Sequence, residues 1–266
     1  MSAGTKIEWT DYTWPVVAGC RKRSPGCANC YATRDSWRLA HNPNPKIASA
    51  YAGATESARD WTGQVRWLKE RLHWPEHWKK PGRIFVSNMA ELFDTEVPLS
   101  FVMDVFEITE MVKRHTYQFL TKLPWRMRLA ARMYFGDPQE IANIRFGFSA
   151  ENQEWFDRRW KHVEGLADDG WPVFVSAEPL LEPITLPDSF LDRRHQAQVI
   201  VGGESGPGAR PMELDWARSL RNQCQARGVH FFFKQTGGRV GHGEKTLDGE
   251  EWKQETDLRF QMSNFK

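Results

Sequence analysis

The sequence predicts an α/β protein whose parallel strands form a partial or open (β/α) barrel of about six to seven strands. Short apolar runs rich in Val, Ile and Phe alternate with segments of helical spacing along most of the chain. No internal repeat or low-complexity stretch interrupts this alternation. Right-handed crossovers between parallel strands are expected to bring the loops at their carboxyl ends to one face.

Six apolar runs fit strands that are buried on both faces, and a weaker run precedes them. The six runs are 83–88, 117–122, 144–149, 172–177, 198–203 and 230–235, and the weaker run is 13–19. Helical spacing is expected at 30–41, after a Ser100 cap, and later in the chain. The apolar positions that define the last three helices are Val105, Ile108 and Val112; Phe156, Trp160 and Val163; and Ala217, Leu220 and Cys224.

The length of 266 residues allows one sizeable core, and we predict a single domain over 1–266. A Trp- and Pro-rich stretch at 42–82 interrupts the alternation of strands and helices. We expect it to be an insertion, either a structural flap or a lid. Residues 239–266 form a short C-terminal extension. The sequence has no apolar run long enough to cross a membrane, and its N-terminus lacks the charged-then-apolar order of a signal peptide. We therefore expect a cytoplasmic protein.

The net charge of +2 is too small to indicate a nucleic-acid binder by itself, and any basic patch must be local. Three of the four cysteines lie within eleven positions. In a reducing compartment this spacing indicates ligation of a metal or cluster rather than disulfides.

The three clustered cysteines, Cys20, Cys27 and Cys30, follow the first predicted strand and lead into a helix. Both iron and zinc suit such a loop. Structural zinc needs four ligands, so it requires His41 or a distant residue to complete the site. Three thiolates on a [4Fe–4S] cluster leave one iron open, and that iron can chelate S-adenosylmethionine for cleavage to a carbon radical. The spacing alone leaves both metals open, and we expect Cys224 to be buried as a small hydrophobe.

Polar residues follow nearly every predicted strand, and we expect them to meet where active sites of parallel barrels are built. They are Asn88 and Glu91; Thr121 and Lys122; Ser149, Glu151 and Asn152; Ser176 and Glu178; Gly203, Glu204 and Ser205; and Lys234 and Gln235. Capping of the following helix is an alternative role for Ser149 and Asn152.

Three charged residues at these strand ends are the candidates for catalysis: Glu178, Glu204 and Lys234. Salt bridging among them is the alternative, because a charge at the mouth of a buried strand needs a partner, a ligand or water. The glycine-rich stretch 202–208 lacks the spacing of a P-loop or of a dinucleotide fingerprint.

Several motifs together resemble a known family. They are Ile7-Glu8-Trp9-Thr10, Trp14-Pro15-Val16, Gly19-Cys20, Ser24-Pro25-Gly26-Cys27, Asn29-Cys30-Tyr31-Ala32, Pro81, Ile84-Phe85-Val86, Glu91-Leu92-Phe93, Leu120-Thr121-Lys122, Ser176-Ala177-Glu178-Pro179-Leu180-Leu181, Gly202-Gly203-Glu204-Ser205-Gly206 and Phe232-Phe233-Lys234-Gln235. The chain resembles a phage and bacterial family named after gene products thirty-seven and sixty-eight of mycobacteriophages. That family in turn looks like a divergent branch of radical S-adenosylmethionine enzymes.

The resemblance implies a six-stranded partial barrel with a [4Fe–4S] cluster after its first strand and an electron donor such as a flavodoxin or ferredoxin. The gap between the first two cysteines is longer here than in the usual Cys-x3-Cys-x2-Cys motif. The resemblance therefore does not specify the geometry of this loop. By analogy Tyr31 lies near the adenine or the cluster, and Asn88 and Glu91 lie near the methionyl amino group. The other cofactor contacts expected from their strand-end positions are Lys122, Ser149 and Ser176.

The phage context of the family implies modification or repair of a nucleic-acid base or nucleotide. Arg21, Lys22 and Arg23, together with Arg128 and Arg132 at i, i+4 spacing, are candidates to meet a phosphate, although solvated surface charge explains each singly. Two alternatives remain open. One is a zinc-containing module that binds nucleic acid or protein, and the other is an iron–sulfur protein that does not cleave the cofactor.

Overall fold

The computed structural model describes residues 5, 7–136, 138, 141 and 143–255. The chain divides into two compact units, a first unit of residues 1–135 and a second unit of residues 136–266. Parallel strands run through both units. Helices alternate with these strands, so the α/β class predicted from the sequence is confirmed. The prediction of a single domain stays a prediction.

Among the described residues, the first unit contains five strands and five α-helices. They are β1 (Tyr12–Trp14), β2 (Val17–Ala18), α1 (Tyr31–Ala40), α2 (Pro45–Tyr51), β3 (Arg66–Trp67), α3 (Trp74–His77), β4 (Arg83–Val86), α4 (Leu99–Met111), β5 (Thr116–Thr121) and α5 (Pro124–Tyr134). Strand β4 lies between β1 and β5, and both pairings are parallel. Its apolar residues are buried, as expected for a strand with neighbours on both sides.

In the part of the second unit that the structure describes, there are four parallel strands and three α-helices. They are β6 (Ile144–Ser149), α6 (Gln153–Asp168), β7 (Val173–Ala177), α7 (Asp188–Leu191), β8 (Ala197–Gly202), α8 (Leu214–Arg227) and β9 (His230–Gln235). Every residue of β6, β7 and β8 is buried. Cys224 lies on the buried face of α8 and is fully buried, which confirms its predicted role as a small core residue.

Two predicted elements differ from the structure. The strand predicted at 13–19 is divided into β1, which is parallel to β4, and β2, which is antiparallel to β3. Pro15 lies at the break and has no N–H to donate to a strand ladder. The predicted Ser100 cap is wrong, because Pro98 is the N-cap of α4 and its carbonyl accepts from the N–H groups of Phe101 and Val102.

The insertion at 42–82 is fastened to the first unit through Arg71. The Trp14 indole Nε1 donates to the Arg71 carbonyl at 2.7 Å. The buried Arg71 guanidinium donates to the Pro15 carbonyl at 3.2 Å and to the Tyr51 hydroxyl at 3.3 Å, and it lies 5.1 Å from the Trp74 ring centroid. The two predicted roles of this stretch, a structural flap and a lid, stay predictions.

The described part of the C-terminal extension runs beside β9. The Phe233 N–H donates to the Trp252 carbonyl at 2.8 Å, and the Gln254 N–H donates to the Phe231 carbonyl at 3.1 Å. The Trp252 ring also packs against Phe231. The extension therefore covers backbone groups that an edge strand otherwise exposes.

Candidate functional site

The three clustered cysteines lie in one loop between β2 and α1. Cys27 ends a 3-10 turn, and its N–H donates to the Ser24 carbonyl at 2.9 Å. Cys30 is the N-cap residue of α1. Cys27 is buried, whereas Cys20 and Cys30 are half-buried. The loop thus presents three thiols between a strand and the first turn of a helix.

Gly19, directly before Cys20, is required by the backbone. Its φ of +88° lies in the left-handed region, and a Cβ added there would lie 2.0 Å from the Gln64 carbonyl oxygen. Gln64 belongs to the insertion, and the neighbouring Ala18 pairs with Arg66. The insertion therefore fixes the path of the chain where the cysteine loop begins.

Burial raises the pKa of the Cys20 thiol, and the charge of Glu91 and those of Cys30 and Cys27 raise it further. Burial also raises the pKa of Cys30, where the Ala32 backbone amide opposes the shift, the charge of Cys27 adds to it, and the charge of Lys122 opposes it. The three thiols are therefore close enough to interact electrostatically. Holding three thiolates in this place requires a compensating positive charge.

Within the described residues, no group of three or more His, Cys, Asp and Glu side chains is arranged to hold a metal ion. His41 cannot complete a site with Cys30, because the ten residues of α1 separate them by about 15 Å. The loop fits an iron–sulfur cluster by the chemistry of its donors. Three thiols in one largely buried loop are the ligand type that such clusters take.

Glu91 follows β4 and is buried with all its hydrogen bonds inside the first unit. Its Oε1 accepts from the Thr121 hydroxyl at 2.6 Å and from the Phe93 N–H at 3.1 Å. Its Oε2 accepts from the Lys122 N–H at 2.9 Å. Burial raises the pKa of Glu91, and these hydrogen bonds oppose the shift. The carboxylate ties the loop after β4 to the end of β5.

Tyr31 and Asn88, both predicted as cofactor contacts, are joined directly. The Tyr31 hydroxyl donates to the Asn88 carbonyl at 2.7 Å, and the Tyr31 side chain is 41% exposed. Tyr31 is the first residue of α1, next to Cys30. The four predicted cofactor residues of the first unit thus gather around the cysteine loop, through this contact and through the charges of Glu91 and Lys122.

The three cations between the first two cysteines are paired with carboxylates. Arg21 Nη2 lies 3.2 Å from Glu96 Oε1, Lys22 pairs with Asp60, and Arg23 pairs with the fully buried Asp94. These pairings weaken the prediction that the three residues meet a phosphate. The sequence did not single out Asp94, which lies on the same loop as Glu91.

In the second unit, Glu178 lies between Lys234 and Ser176. Its Oε1 is 2.9 Å from Lys234 Nζ, and its Oε2 accepts from the Ser176 hydroxyl at 3.1 Å. Gly202, at the end of β8, makes room for this carboxylate, since a Cβ there would lie 2.7 Å from Glu178 Oε1. The strand ends therefore bring one acid, one base and one hydroxyl together.

Glu204 pairs with Arg210. The guanidinium binds the carboxylate through Nη2–Oε1 at 2.5 Å and Nε–Oε2 at 2.9 Å, and the Arg210 N–H adds a bond of 3.0 Å. These hydrogen bonds raise the pKa of Arg210. Among the ion pairs of the described residues, the predicted salt bridging is found between Glu178 and Lys234. Arg210 was missed because nothing in the sequence specified the loop that returns it.

The loop after β6 is held by a second buried pair. The side chains of Arg159 and Glu151 are 3% and 0% exposed, with Nη1 and Oε2 3.0 Å apart, and the same Nη1 donates to the Ser149 carbonyl at 2.8 Å. Asn152 caps α6 by accepting from the Trp155 N–H, as one of the two alternatives predicted. Ser149 does not cap that helix.

The fold and the cysteine loop define the class of this chain, an α/β protein with a partial parallel barrel. A cysteine-to-serine mutant of spore photoproduct lyase matches it with a TM-score of 0.52 and 11% sequence identity, over 88% of this chain and 79% of that chain. The likeness shows the fold alone and confirms the predicted class.

By sequence, the chain belongs to the family described as "Protein of unknown function (DUF5131)", which matches residues 4–257. No curated protein matches it. In the part of the chain that the structure describes, no helix combines the length and apolar character needed to cross a membrane.

Proposed function

We propose that this protein is an iron–sulfur enzyme of the radical S-adenosylmethionine type. Cys20, Cys27 and Cys30 would hold a [4Fe–4S] cluster and leave one iron open for the cofactor. The observation that carries the proposal is the single loop between β2 and α1 that holds three buried or half-buried thiols. The fold shared with spore photoproduct lyase and the motif resemblance to radical enzymes support it.

The cluster, when bound, would supply an electron to the sulfonium of S-adenosylmethionine and so produce a carbon radical. Residues of the first unit serve this site in different ways. Lys122 offsets negative charge beside Cys30, and Tyr31 presents an exposed ring next to it. Glu91 holds the loop that contains Asn88, so we propose that it positions this loop and, through its charge, influences Cys20.

The second unit supplies the groups that we propose for catalysis. Glu178 and Lys234 can hold or exchange a proton between Oε1 and Nζ, and Ser176 orients the carboxylate. Arg210 holds the Glu204 carboxylate in one orientation. Ser149 and Ser176 remain proposed cofactor contacts.

For the substrate we propose a nucleic-acid base or nucleotide, with a flavodoxin or ferredoxin as electron donor. The phage context of the resembled family supports this substrate class. The lyase that shares the fold acts, by its name, on a photoproduct.

Anaerobic reconstitution with iron and sulfide, followed by reductant and S-adenosylmethionine, tests the proposal. We expect a brown protein that releases 5′-deoxyadenosine. Cys27→Ala should abolish this release, whereas Cys224→Ala, a fully buried cysteine on α8, should retain it. One zinc per chain with no visible absorption would instead identify a zinc-containing binding module. Colour without cofactor cleavage would identify an iron–sulfur protein of another kind.

A further inference from the structure

The positive charge of the chain is concentrated in one segment. Between positions 19 and 80 the sequence has 12 Lys and Arg against 5 Asp and Glu. The rest of the chain has 24 against 29. A net charge of +2 therefore conceals a segment of +7 and a remainder of −5, and we call residues 19–80 the basic segment.

Seven of the twelve cations in the basic segment are exposed and make no ion pair within the described residues. They are Arg34, Lys46, Arg59, Arg66, Lys69, Lys79 and Lys80. Of the carboxylates of the segment, Asp60 pairs with Lys22 and Asp35 with Arg38, whereas the exposed Glu56 and Glu70 make no ion pair within the described residues. The excess charge is thus available to an external polyanion.

Exposed aromatic rings accompany these cations. Trp67 is 38% exposed and Tyr31 is 41% exposed, and they are the large apolar side chains exposed among the described residues of the segment. Trp67 lies on β3 and pairs with Val17, which is three positions before Cys20. Lys69 follows Trp67 in a 3-10 turn. Tyr31 follows Cys30 directly. Rings and cations therefore flank both ends of the cysteine loop.

We propose that the basic segment binds single-stranded nucleic acid, with phosphates on its unpaired cations and a base stacked on Trp67. Cationic surfaces with aromatic rings track such strands, because phosphates pair with the cations and every base offers a face for stacking. Isolated rings fit this partner better than an anionic membrane, which favours a continuous apolar helix face. The inference that this nucleic acid is the substrate rests on the proposed function. Binding of the nucleic acid to the basic segment requires no cluster.

Fluorescence anisotropy of a labelled oligothymidine in a salt series tests the inference with the full chain. Contacts with four to six phosphates give a slope of log K against log salt of about −3 to −4. Trp67→Ala should weaken binding about tenfold, within the range for stacking on one ring. Trp125→Ala is the matched control, because Trp125 lies on α5 and is 44% exposed. Its affinity should match that of the wild type.

The charge variants give a second readout. Lys69→Ala and Lys79→Ala should each make the salt slope shallower by about 0.7, whereas Lys161→Ala, an exposed lysine on α6, should leave it unchanged. A flat salt dependence, equal losses in the control variants, or tighter binding to duplex would overturn the inference. Phosphatidylserine vesicles that compete on equal terms would assign the segment to a membrane surface instead.

The two proposals fail in different ways. Cys27→Ala should retain oligothymidine binding, since the basic segment does not need the cluster. Binding without cofactor cleavage in the reconstituted wild type would leave this inference standing and remove the proposed function. Cofactor cleavage without salt-dependent binding would do the reverse.

Discussion

Replacing Glu91 separates the two roles that sequence and structure give it. The motif resemblance implies a contact with the cofactor, whereas the structure shows a buried carboxylate with three internal donors. In Glu91→Gln, the amide oxygen can still accept from Thr121 and Phe93, but the amide NH2 then faces the Lys122 N–H. One buried donor loses its acceptor, which should lower the free energy of unfolding by about 1–3 kcal/mol.

Glu91→Ala removes the acceptor for all three donors and should cost about 3–6 kcal/mol, a large part of the stability of an ordinary domain. Urea unfolding followed by tryptophan fluorescence measures both variants. Glu96→Gln is the control, because the Glu96 side chain is 57% exposed and its ion pair with Arg21 is at the surface. We expect a change within about 0.5 kcal/mol for that control.

The pH dependence of Glu91→Gln has a definite sign. Burial raises the pKa of Glu91 in the folded state above its value in the unfolded chain, about 4.3. The wild type therefore loses stability from this group as the pH rises from below that value through the folded pKa. The glutamine variant lacks this step, so the wild-type advantage should grow as the pH is lowered from 7 towards 4. An unfolding free energy unchanged in Glu91→Gln, together with lost cofactor binding, would refute the positioning role.

Three further changes, with Cys224→Ala as a control, test the rest of the site. Cys27→Ala should lose most of its iron on reconstitution while remaining folded, because Cys27 lies in a loop. Cys224→Ala should keep its iron and lose about 1–2 kcal/mol of stability, because Cys224 is fully buried. Iron and sulfide analysis measures the iron content, and urea unfolding measures the stability. Unfolding of Cys27→Ala would indicate a structural metal. Gly19→Ala should cost about 2–3 kcal/mol and reduce iron uptake, because its Cβ meets a backbone oxygen of the insertion. Arg210→Met should cost about 2–3 kcal/mol by leaving Glu204 without its guanidinium, and a change under about 0.5 kcal/mol would show that this pair is not structural.

The core strands could be predicted from the sequence because their pattern is local. The runs 144–149 and 230–235 coincide with β6 and β9, since an apolar stretch of strand length is buried wherever it is placed in a parallel sheet. The division of 13–19 could not be read from hydrophobicity. It follows from Pro15 and from pairing with β3, a partner about fifty residues further along the chain.

The positions of the polar site residues were also predictable, because strand ends are visible as the end of an apolar run. Their partners were not. Glu204 is held by Arg210 and Arg159 by Glu151 through loops whose path depends on tertiary packing. The pairing of Glu178 with Lys234 was one of the predicted alternatives, since Glu178 directly follows β7 and Lys234 lies at the carboxyl end of β9.

The insertion and the cysteine loop are coupled through three contacts of different kinds. The Gln64 carbonyl occupies the space that a side chain at Gly19 would need, β3 pairs with β2, and Lys22 pairs with Asp60. A strand of nucleic acid stacked on Trp67 would therefore lie on backbone that is hydrogen-bonded to the residues leading into Cys20. Under the proposed function, the cysteine loop is part of the basic segment and is joined to β3. Binding of nucleic acid at Trp67 should then alter the environment of the three thiols. A shift in the visible spectrum of the reconstituted protein on addition of oligothymidine, absent in Trp67→Ala, is the expected sign of this coupling.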